Sequence, residues 1–319
     1  MRNRPFPVIT ASARGHGRTY DRTFDWAYEE PEPPQPPALG GLIPVVWDGL
    51  WLNSGDQADG LCTVVTNVEG WLDSPPVQGN DVSRVISDGA AWGPKVLNQR
   101  TITIHGAATG PRVLLGQLRD QLAVRAASRE PAELVIGDYD LERVLTADVR
   151  AGTNGYRHRP LGSTGFAYEV TVTAADPVLY AGRWQSATLT NAQDAASGRE
   201  YPREYPWRYA LPSLPNSALL PNGGNHPAPV YALYRGPLAE STLTAAGNGI
   251  IRLAALSDGM EVLVHTATLT AEAGGGVSRA SYLLPGCRPM AIPAGTSQRW
   301  YLRSAGQGSI SLAWRSAWV

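Results

Sequence analysis

The sequence predicts a mainly β protein of two domains, and three observations carry that prediction. Its 319 residues suit two domains, since one domain usually holds about 100–200 residues. It contains 34 glycines and 26 prolines, too many for long helices, yet 43% of its residues are hydrophobic, too many for a disordered chain. Short runs rich in valine, isoleucine, threonine, tyrosine and tryptophan recur along the chain, as expected for strands.

Residues 1–40 are predicted to form an extended arm rather than a domain. They are polar with scattered aromatic side chains and run into the proline-rich segment 31–37 (PEPPQPP). Such a segment favours polyproline II, a stiff spacer that rises about 3.1 Å per residue. Because the arm has little apolar surface for a core of its own, we expect it to be ordered by lying on another chain.

The first domain, residues 41–182, is predicted to combine short strands with a single helix. Asp48-Gly49 stands between two apolar runs and predicts a two-residue hairpin turn. The helix begins after Pro111 and repeats leucine at helical spacing. The elements predicted beyond the hairpin are, in order, strands 62–68 and 100–105, helix 113–128, a hairpin of 133–136 with 142–149, and strand 166–173.

Residues 183–228 are predicted to be a connector, because they are rich in proline and tyrosine and lack the period of a core-forming element. The last domain, residues 229–319, shows turn signals about every 8–12 residues, as expected for a β-sandwich. A glycine run at 274–276 suits the tip of a hairpin. The strands predicted in this domain are 249–253, 261–265, 281–284, 300–303 and 309–315.

The charge balance argues against a nucleic-acid-binding protein. Lysine and arginine total 27 against 28 aspartates and glutamates, so the net charge is −1 and no basic field is present to hold phosphates. Lys95 is the one lysine, and the arginine-heavy composition suggests a GC-rich genome. No apolar run approaches the roughly 18 residues of a membrane span, and no leader-like apolar stretch follows Met1, so we expect neither membrane insertion nor a signal peptide.

No catalytic, cofactor or metal site is predicted, and we expect a protein that is not an enzyme. The five histidines show none of the spacings of a zinc site, and His105 and His265 are expected to pack or to hydrogen-bond at strand ends. Residues 162–165 (GSTG) are one residue short of a nucleophile elbow and suit a turn. Cys62 and Cys287 form no metal motif and are expected to be isolated thiols in cores.

Two sets of aromatic residues are candidates for a binding surface, one in the connector and one near the end of the chain. The connector aromatics either anchor a strap between domains or subunits, which the prolines favour, or stack on sugars or bases. The second interpretation gives an alternative function, a carbohydrate-binding β-sandwich that recognises host cell-wall glycans. The tryptophans near the end of the chain are expected to lie in a core or an interface rather than on a ligand platform. The residues concerned are Tyr201, Tyr205, Trp207, Tyr209, Trp300, Trp314 and Trp318.

Eight short features follow one another in an order that is informative as a whole. They are Trp47-Asp48-Gly49-Leu50, Val68-Glu69-Gly70-Trp71, strand 100–106, helix 113–128, Glu142-Arg143-Val144, residues 175–180 (ADPVLY), residues 222–229 (NGGNHPAP) and Pro293-Ala294-Gly295. The D-P-V-L-Y motif, which closes a β domain, is the most specific of them. Their order resembles the distal tail protein (Dit) family of long-tailed bacteriophages and covers most of residues 45–319.

The resemblance implies both a fold and a role. Family members have an N-terminal split β-barrel, similar to the tail-tube protein and crossed by one helix, followed by a galectin-like β-sandwich. They form a hexameric ring at the distal end of the tail. The implied partners are further copies of the chain, the major tail tube protein, the tail-tip hub, the tape measure protein, and receptor-binding or side-fibre proteins. The implied location is the virion tail, after assembly in the host cytoplasm.

Two parts of the sequence bear on that role in different ways. The arm and the connector depart from the family pattern, and the resemblance assigns no role to their residues. The near-neutral charge suits a conduit that lets DNA pass without gripping it, because binding to the DNA backbone needs clustered lysine and arginine. Strands 100–105 and 166–173 are candidates to line the lumen, with one face on the core. A tail-like particle such as a gene transfer agent is also compatible with the sequence.

Overall fold

The computed structural model describes residues 43–79, 82–83, 88, 90–91, 93, 95–138, 143–190, 216–247, 249–273 and 277–319. The predicted arm, the connector aromatics at 201–209 and the glycine run at 274–276 lie outside these residues. Within them the fold is mainly β, with one α-helix and one short 3-10 helix. The described chain divides into two compact units, residues 43–182 and residues 183–318.

The first unit contains thirteen strands among the residues described, together with the α-helix α1, Arg112–Ala127. The strands are β1 Val45–Trp47, β2 Leu50–Trp51, β3 Gly55–Asp56, β4 Cys62–Glu69, β5 Val77–Gly79, β6 Val82–Ser83, β7 Ala90–Ala91, β8 Lys95–Leu97, β9 Arg100–Thr109, β10 Ala132–Asp138, β11 Arg143–Pro160, β12 Gly165–Ala174 and β13 Leu179–Ala181.

Most of these strands form one antiparallel sheet in the order β2-β1-β10-β11-β12-β9-β4-β3, with β13 alongside β11. Strands β5 and β8 form a separate hairpin, as do β6 and β7. In the described part of the chain the large sheet is not closed into a barrel. The predicted strands at 62–68, 100–105 and 166–173 are confirmed as β4, β9 and β12, and they are neighbours in this sheet.

The core of the first unit lies between this sheet and helix α1. Burial alternates along β9 and β12, so that Ile102, Ile104, Val170 and Val172 lie fully buried on one face. The helix packs on β11 and β12 through three leucines at helical spacing, Leu115, Leu118 and Leu122. Burying a side chain of this size contributes about 1.5–3 kcal/mol, so this two-sided leucine and isoleucine layer is the main stabilising contact of the unit.

The hairpin predicted at Asp48-Gly49 is confirmed. Asp48 has φ +49° and Gly49 has φ +76°, the backbone of a type I′ turn, and Trp47 pairs with Leu50 across it. Helix α1 contacts this turn, because the Arg125 guanidinium donates a hydrogen bond of 3.2 Å to the Asp48 carbonyl oxygen.

A close contact between Gly106 and Tyr168 joins the two central strands. The residues are cross-strand partners in β9 and β12, and a Cβ atom on Gly106 would overlap the Tyr168 ring. The ring therefore lies over the glycine, and its hydroxyl donates a hydrogen bond of 2.8 Å to the Leu52 carbonyl oxygen. Glycine at position 106 is thus a requirement of packing rather than of backbone conformation.

The second unit contains twelve strands among the residues described and the 3-10 helix Ala280–Tyr282. The strands are β14 Gln185–Thr190, β15 Ser217–Asn222, β16 Ala228–Arg235, β17 Ser241–Ala245, β18 Ile250–Leu253, β19 Glu261–His265, β20 Thr270–Ala273, β21 Val277–Ser278, β22 Ala291–Ile292, β23 Thr296–Arg303, β24 Ser309–Trp314 and β25 Ala317–Trp318.

Two antiparallel sheets share the core of this unit. One has the order β14-β24-β16-β19-β20-β21 with β22 beside β16, and the other has the order β15-β23-β17-β18. Trp314 of the first sheet donates its indole N–H to the Pro221 carbonyl oxygen of the second at 2.8 Å. Trp300, Leu312 and Val264 are among the fully buried side chains between the sheets.

Two sequence predictions for the second unit need correction. The run 281–284 is not a strand, because its first residues close a 3-10 turn in which the Leu283 N–H donates to the Ala280 carbonyl oxygen. Residues 185–190 and 217–222 lie in the range predicted as a connector, yet they form β14 and β15. Both strands pair with chain segments more than 70 residues away, so no local signal marks them.

None of the helices in the described residues is long and apolar enough to cross a membrane.

Two buried tyrosines give a first test of the structure. The Tyr234 hydroxyl is fully buried without a hydrogen-bond partner, whereas the Tyr168 hydroxyl is bonded to Leu52. An unpaired buried hydroxyl costs about 1–3 kcal/mol, so Tyr234→Phe is expected to raise the free energy of unfolding by about 1–2 kcal/mol. Tyr168→Phe should lower it by about 1 kcal/mol. Urea unfolding of both variants makes the comparison, and a destabilised Tyr234→Phe would contradict the structure.

The same pair predicts how stability responds to alkaline pH. Burial raises the pKa of Tyr168 and of Tyr234. The folded state therefore holds these protons more tightly than the unfolded state, where tyrosine titrates near pH 10. The stability that depends on these two protonated tyrosines is therefore fully present below about pH 10, and it is lost as the pH rises further. Above about pH 10 the free energy of unfolding should consequently fall less steeply with pH for Tyr234→Phe than for the unmodified protein.

Candidate functional sites: two buried clasps, an open groove and two sheet faces

A buried arginine joins distant parts of the first unit. Arg100 begins β9, is 2% exposed, and donates from Nη1 to the carbonyl oxygens of Gly70 (3.0 Å), Trp71 (2.7 Å) and Asp73 (2.6 Å). Its Nε donates to the Pro177 carbonyl oxygen at 3.0 Å. Burial lowers the pKa of Arg100, and the nearby Asp73 carboxylate opposes that shift, but an arginine stays protonated at neutral pH. We call this arrangement the arginine clasp.

Two of the sequence motifs meet at the arginine clasp. In the first, Gly70 has φ +76°, and a Cβ atom there would overlap the Thr101 carbonyl oxygen, so the turn around Arg100 requires glycine. In the second, D-P-V-L-Y, the Asp176 carboxylate accepts hydrogen bonds from the Val178 N–H (3.0 Å) and the Tyr180 hydroxyl (2.7 Å). The motifs that looked specific in the sequence are therefore the two loops that supply carbonyl groups to one guanidinium.

An asparagine performs the same task in the second unit. The Asn222 side chain is 2% exposed, and its amide nitrogen donates to the carbonyl oxygens of His226 (2.8 Å), Ile292 (3.2 Å) and Pro293 (3.2 Å). Its oxygen accepts from the Gly224 N–H at 3.0 Å and from Ala317. This asparagine clasp ties the N-G-G-N-H-P-A-P motif to the loop before β23 and to the last strand.

The tryptophans near the end of the chain belong mainly to the core. Trp300 is fully buried and donates its indole N–H to the Gln298 side-chain oxygen at 2.9 Å. Trp314 is 3% exposed, so the expected core position is confirmed and the alternative of a sugar platform is excluded for it. Trp318 is half-buried in β25. A platform for a sugar ring needs an exposed aromatic face, which neither Trp300 nor Trp314 has.

The histidines and cysteines converge on no chemical centre in the described residues. His105 Nε2 lies 3.5 Å from the Glu69 carboxylate, and the His265 ring bonds to the Thr268 hydroxyl at 2.8 Å. Neither cysteine forms a disulfide, and both are half-buried rather than in a core as predicted. No group of three or more metal-ligating side chains occurs within the ranges that the structure describes.

The outer face of the central sheet in the first unit is polar. Opposite the buried isoleucines and valines, β9 and β12 present threonines and two charged or titratable side chains, His105 and Glu169. Arg157 of β11 lies 3.9 Å from Glu169, so charges of both signs alternate here. The threonines of this face are Thr101, Thr103, Thr109, Thr171 and Thr173.

An open groove lies where two ends of the same sheet approach each other. On one side are β1 and β10 and on the other is β4, and the buried Asn53 bridges them. Its amide nitrogen donates to the Ile43 carbonyl oxygen at 2.8 Å, and its oxygen accepts from the Val65 N–H at 3.1 Å. We call the space of about 530 Å³ the split groove, and its apolar walls are Ile43, Val45, Val65, Val68, Leu72 and Ile136.

A row of aromatic side chains occupies one face of the larger sheet in the second unit. Tyr231 and His265 are cross-strand partners whose rings meet edge to face at 4.7 Å between centroids. Trp184 meets Tyr231 at 5.8 Å, and the Arg315 guanidinium carbon lies 4.5 Å from the centre of the Trp184 ring. Sequence reasoning missed this aromatic row, because its members are far apart in the chain and become neighbours through strand pairing.

Comparison with known proteins gives a likeness in structure but not in sequence. No protein-family model matches this chain, and no curated protein matches it. The crystal structure of the SPP1 Dit protein (gp 19.1), described as a paradigm of the hub adsorption apparatus in phages that infect Gram-positive bacteria, superposes with a TM-score of 0.57. The match has 12% sequence identity and covers 87% of this chain and 100% of that chain.

The chain has a Dit-like fold. The resemblance inferred from the order of the sequence motifs is thereby confirmed for the fold. Chains of the phage P2 baseplate in its activated conformation are also similar to this chain, with Ca (TM-score 0.46, 9% identity, 86% of this chain and 97% of that chain) and with Sr (TM-score 0.43, 9% identity, 85% and 97%). The two clasps lie at the motifs that suggested the Dit-like fold, which explains why those motifs carried a signal.

Proposed function

We propose that the protein is a structural component of a phage tail, a hexameric ring at the distal end that joins the tail tube to the tail-tip hub. The observation that carries the proposal is the Dit-like fold, which extends over 87% of this chain and over the whole of the SPP1 Dit protein. The proposed partners are neighbouring copies of the chain, the tail tube protein, the hub, the tape measure protein, and receptor-binding or side-fibre proteins. The proposed location is the virion tail, with assembly in the host cytoplasm.

The polar sheet face of the first unit supports this role. A lumen that passes DNA should offer hydroxyl groups and balanced charges rather than clustered cations, because clustered cations bind the phosphate backbone. The face formed by β9 and β12 has five threonines, and Arg157 of the neighbouring β11 lies 3.9 Å from the Glu169 carboxylate. We propose that this face lines the lumen and that the protein has no catalytic activity.

The number of copies in the purified assembly tests the proposal. Native mass spectrometry and single-particle electron microscopy of the full chain are expected to find a closed ring of six. A chain that stays monomeric at high concentration would contradict the ring. Purified tail tube protein offers a second measurement, because stacked tubes are expected to be capped at one end by the ring.

The aromatic row supports a second candidate function, recognition of cell-wall glycans by the second unit. Aromatic faces stack on sugar rings, and Trp184, Tyr231 and His265 are half-buried, so part of each ring stays exposed. Trp184→Ala is expected to weaken binding to an array of bacterial cell-wall oligosaccharides at least tenfold. The matched control is Tyr301→Ala, which removes an exposed tyrosine of the other sheet. If the unmodified protein binds no glycan on the array, this second function is excluded.

A further inference from the structure

The split groove has two features of a site that receives a polypeptide. Its volume of about 530 Å³ falls in the range of about 300–1,000 Å³ that is usual for binding pockets. Six of its thirteen lining residues are aliphatic, and four others are polar. Leu72 stands on its rim and is 63% exposed, although a large apolar side chain gains free energy from burial. An apolar occupant would cover both the walls and this rim.

Trp71 adds a polar requirement to the groove. This tryptophan lines the groove, is 3% exposed, and its buried indole N–H has no hydrogen-bond partner. A buried donor without a partner costs about 1–3 kcal/mol, so an acceptor atom that reaches it through a shift of the side chains covering it would contribute a comparable stabilisation. A peptide carbonyl oxygen is such an acceptor. The groove therefore suits an extended segment that brings large apolar side chains together with free carbonyl groups.

One segment of the chain outside the described residues has the required pattern. Residues 24–28 (FDWAY) place Phe24, Trp26 and Tyr28 at alternate positions. In an extended backbone the side chains of such residues project to the same side, while the intervening carbonyl groups stay available. These five residues hold three of the five aromatic residues in the first 42 positions, so no other five-residue part of the arm offers as many aromatic side chains.

The spacer between this segment and the groove decides which copy it reaches. Ile43 forms part of the groove wall, and fourteen residues (29–42) separate it from Tyr28. Half of them form the proline-rich segment 31–37, and a seven-residue polyproline II helix, which such a sequence favours, is stiff and about 22 Å long at about 3.1 Å per residue. To place residues 24–28 in the groove of its own copy, the chain would have to reverse its direction within residues 29–30 and 38–42, which flank the proline-rich segment. A neighbouring copy requires no reversal, since fourteen extended residues span up to about 46 Å.

We propose that residues 24–28 of one copy occupy the split groove of a neighbouring copy, so that the arms link successive subunits of the assembly. The proposal depends on the proposed function only in requiring several copies side by side. The aromatic side chains fill the aliphatic groove, a backbone carbonyl group accepts the Trp71 N–H, and Leu72 closes over the segment. Each subunit then both donates an arm and receives one.

Disulfide trapping between copies tests the proposal on the full chain. Both native cysteines are first replaced (Cys62→Ala and Cys287→Ala), and two single-cysteine chains are then made, Trp26→Cys with an affinity tag and Leu72→Cys without one. After co-expression and mild oxidation we expect a disulfide-linked pair that contains one tagged and one untagged chain. The control replaces Leu72→Cys by Leu161→Cys, an exposed leucine that does not line the groove. That control is expected to give no such pair.

The outcomes separate this proposal from the proposed function. Assemblies of the expected size without the mixed disulfide would overturn the arm exchange and leave the ring intact. A chain carrying both Trp26→Cys and Leu72→Cys, diluted into an excess of cysteine-free copies, provides the opposite check. An internal disulfide in that chain would mean that the arm binds its own groove, which also overturns the proposal. A monomeric protein without either disulfide would contradict both proposals.

The strength of association gives an independent readout. Trp26→Ala is expected to raise the concentration at which assemblies dissociate on dilution by about tenfold. Tyr20→Ala, an arm aromatic outside the alternating segment, should leave that concentration unchanged. Equal behaviour of the two variants would contradict a specific role for residues 24–28.

Discussion

Replacing Arg100 by methionine is expected to lower the free energy of unfolding of the first unit by about 3–5 kcal/mol. Methionine has a similar length but donates no hydrogen bond. The carbonyl groups of Gly70, Trp71, Asp73 and Pro177 would then lose their common donor inside the protein. Each unpaired buried carbonyl group costs about 1–3 kcal/mol, and entry of water into the cleft offsets part of the sum.

Urea unfolding followed by tryptophan fluorescence measures this loss. Arg159→Met is the matched control, because Arg159 is an exposed arginine of β11 in the same sheet. Its effect should stay within about 0.5 kcal/mol. Arg100→Lys is expected to fall between the two, since an ammonium group is a single point donor and cannot reach carbonyl groups in several directions as the guanidinium does. An Arg100→Met chain as stable as Arg159→Met would show that the clasp contributes little to stability.

Replacing Asn222 by aspartate is expected to destabilise the second unit by about 3–4 kcal/mol at neutral pH. Aspartate keeps the shape of the side chain but exchanges its amide donor for a second negative oxygen. That oxygen would face the carbonyl oxygens of His226, Ile292 and Pro293, which the amide nitrogen now satisfies. Repulsion is thereby added to the loss of three hydrogen bonds.

The pH dependence of this variant provides an internal check. A protonated carboxyl group donates one hydrogen bond, so the destabilisation should become smaller as the pH falls toward about 4, where carboxylates begin to protonate. Asn216→Asp introduces the same chemical change at an exposed position just before β15 and should be nearly neutral at all pH values. A loss in Asn222→Asp that did not change with pH would contradict the proposed repulsion.

Local features were predictable from the sequence, whereas features that depend on distant pairing were not. The Asp48-Gly49 turn, helix α1 and the alternating strands β9 and β12 follow from short-range patterns, and each occurs as predicted. Strands β14 and β15 have no such pattern. Their partners are β24 and β23, and a strand so placed takes its stability from side chains that come from another part of the chain.

The candidate sites show the same division. The motifs around Gly70, Pro177 and Asn222 were recognisable in the sequence, but the hydrogen bonds that they form could not be predicted from it. Arg100 takes its acceptors from positions 30 and 77 residues away, and no spacing rule joins them. The aromatic row and the split groove were missed for the same reason. For Trp314 the sequence favoured a core position but left a sugar platform open, because a tryptophan in an alternating strand looks the same whether it faces solvent or the core.

The contact between Gly106 and Tyr168 also has a consequence for ancestry. A larger residue at position 106 is compatible only with a smaller one at position 168, because the two side chains compete for the same space. Substitutions at these positions should therefore be correlated among descendants of a common ancestor, even where overall identity has fallen too low for alignment. Such a correlated pair would allow β9 and β12 of distant homologues to be aligned with each other. Homology could then be recognised where the sequences share little else.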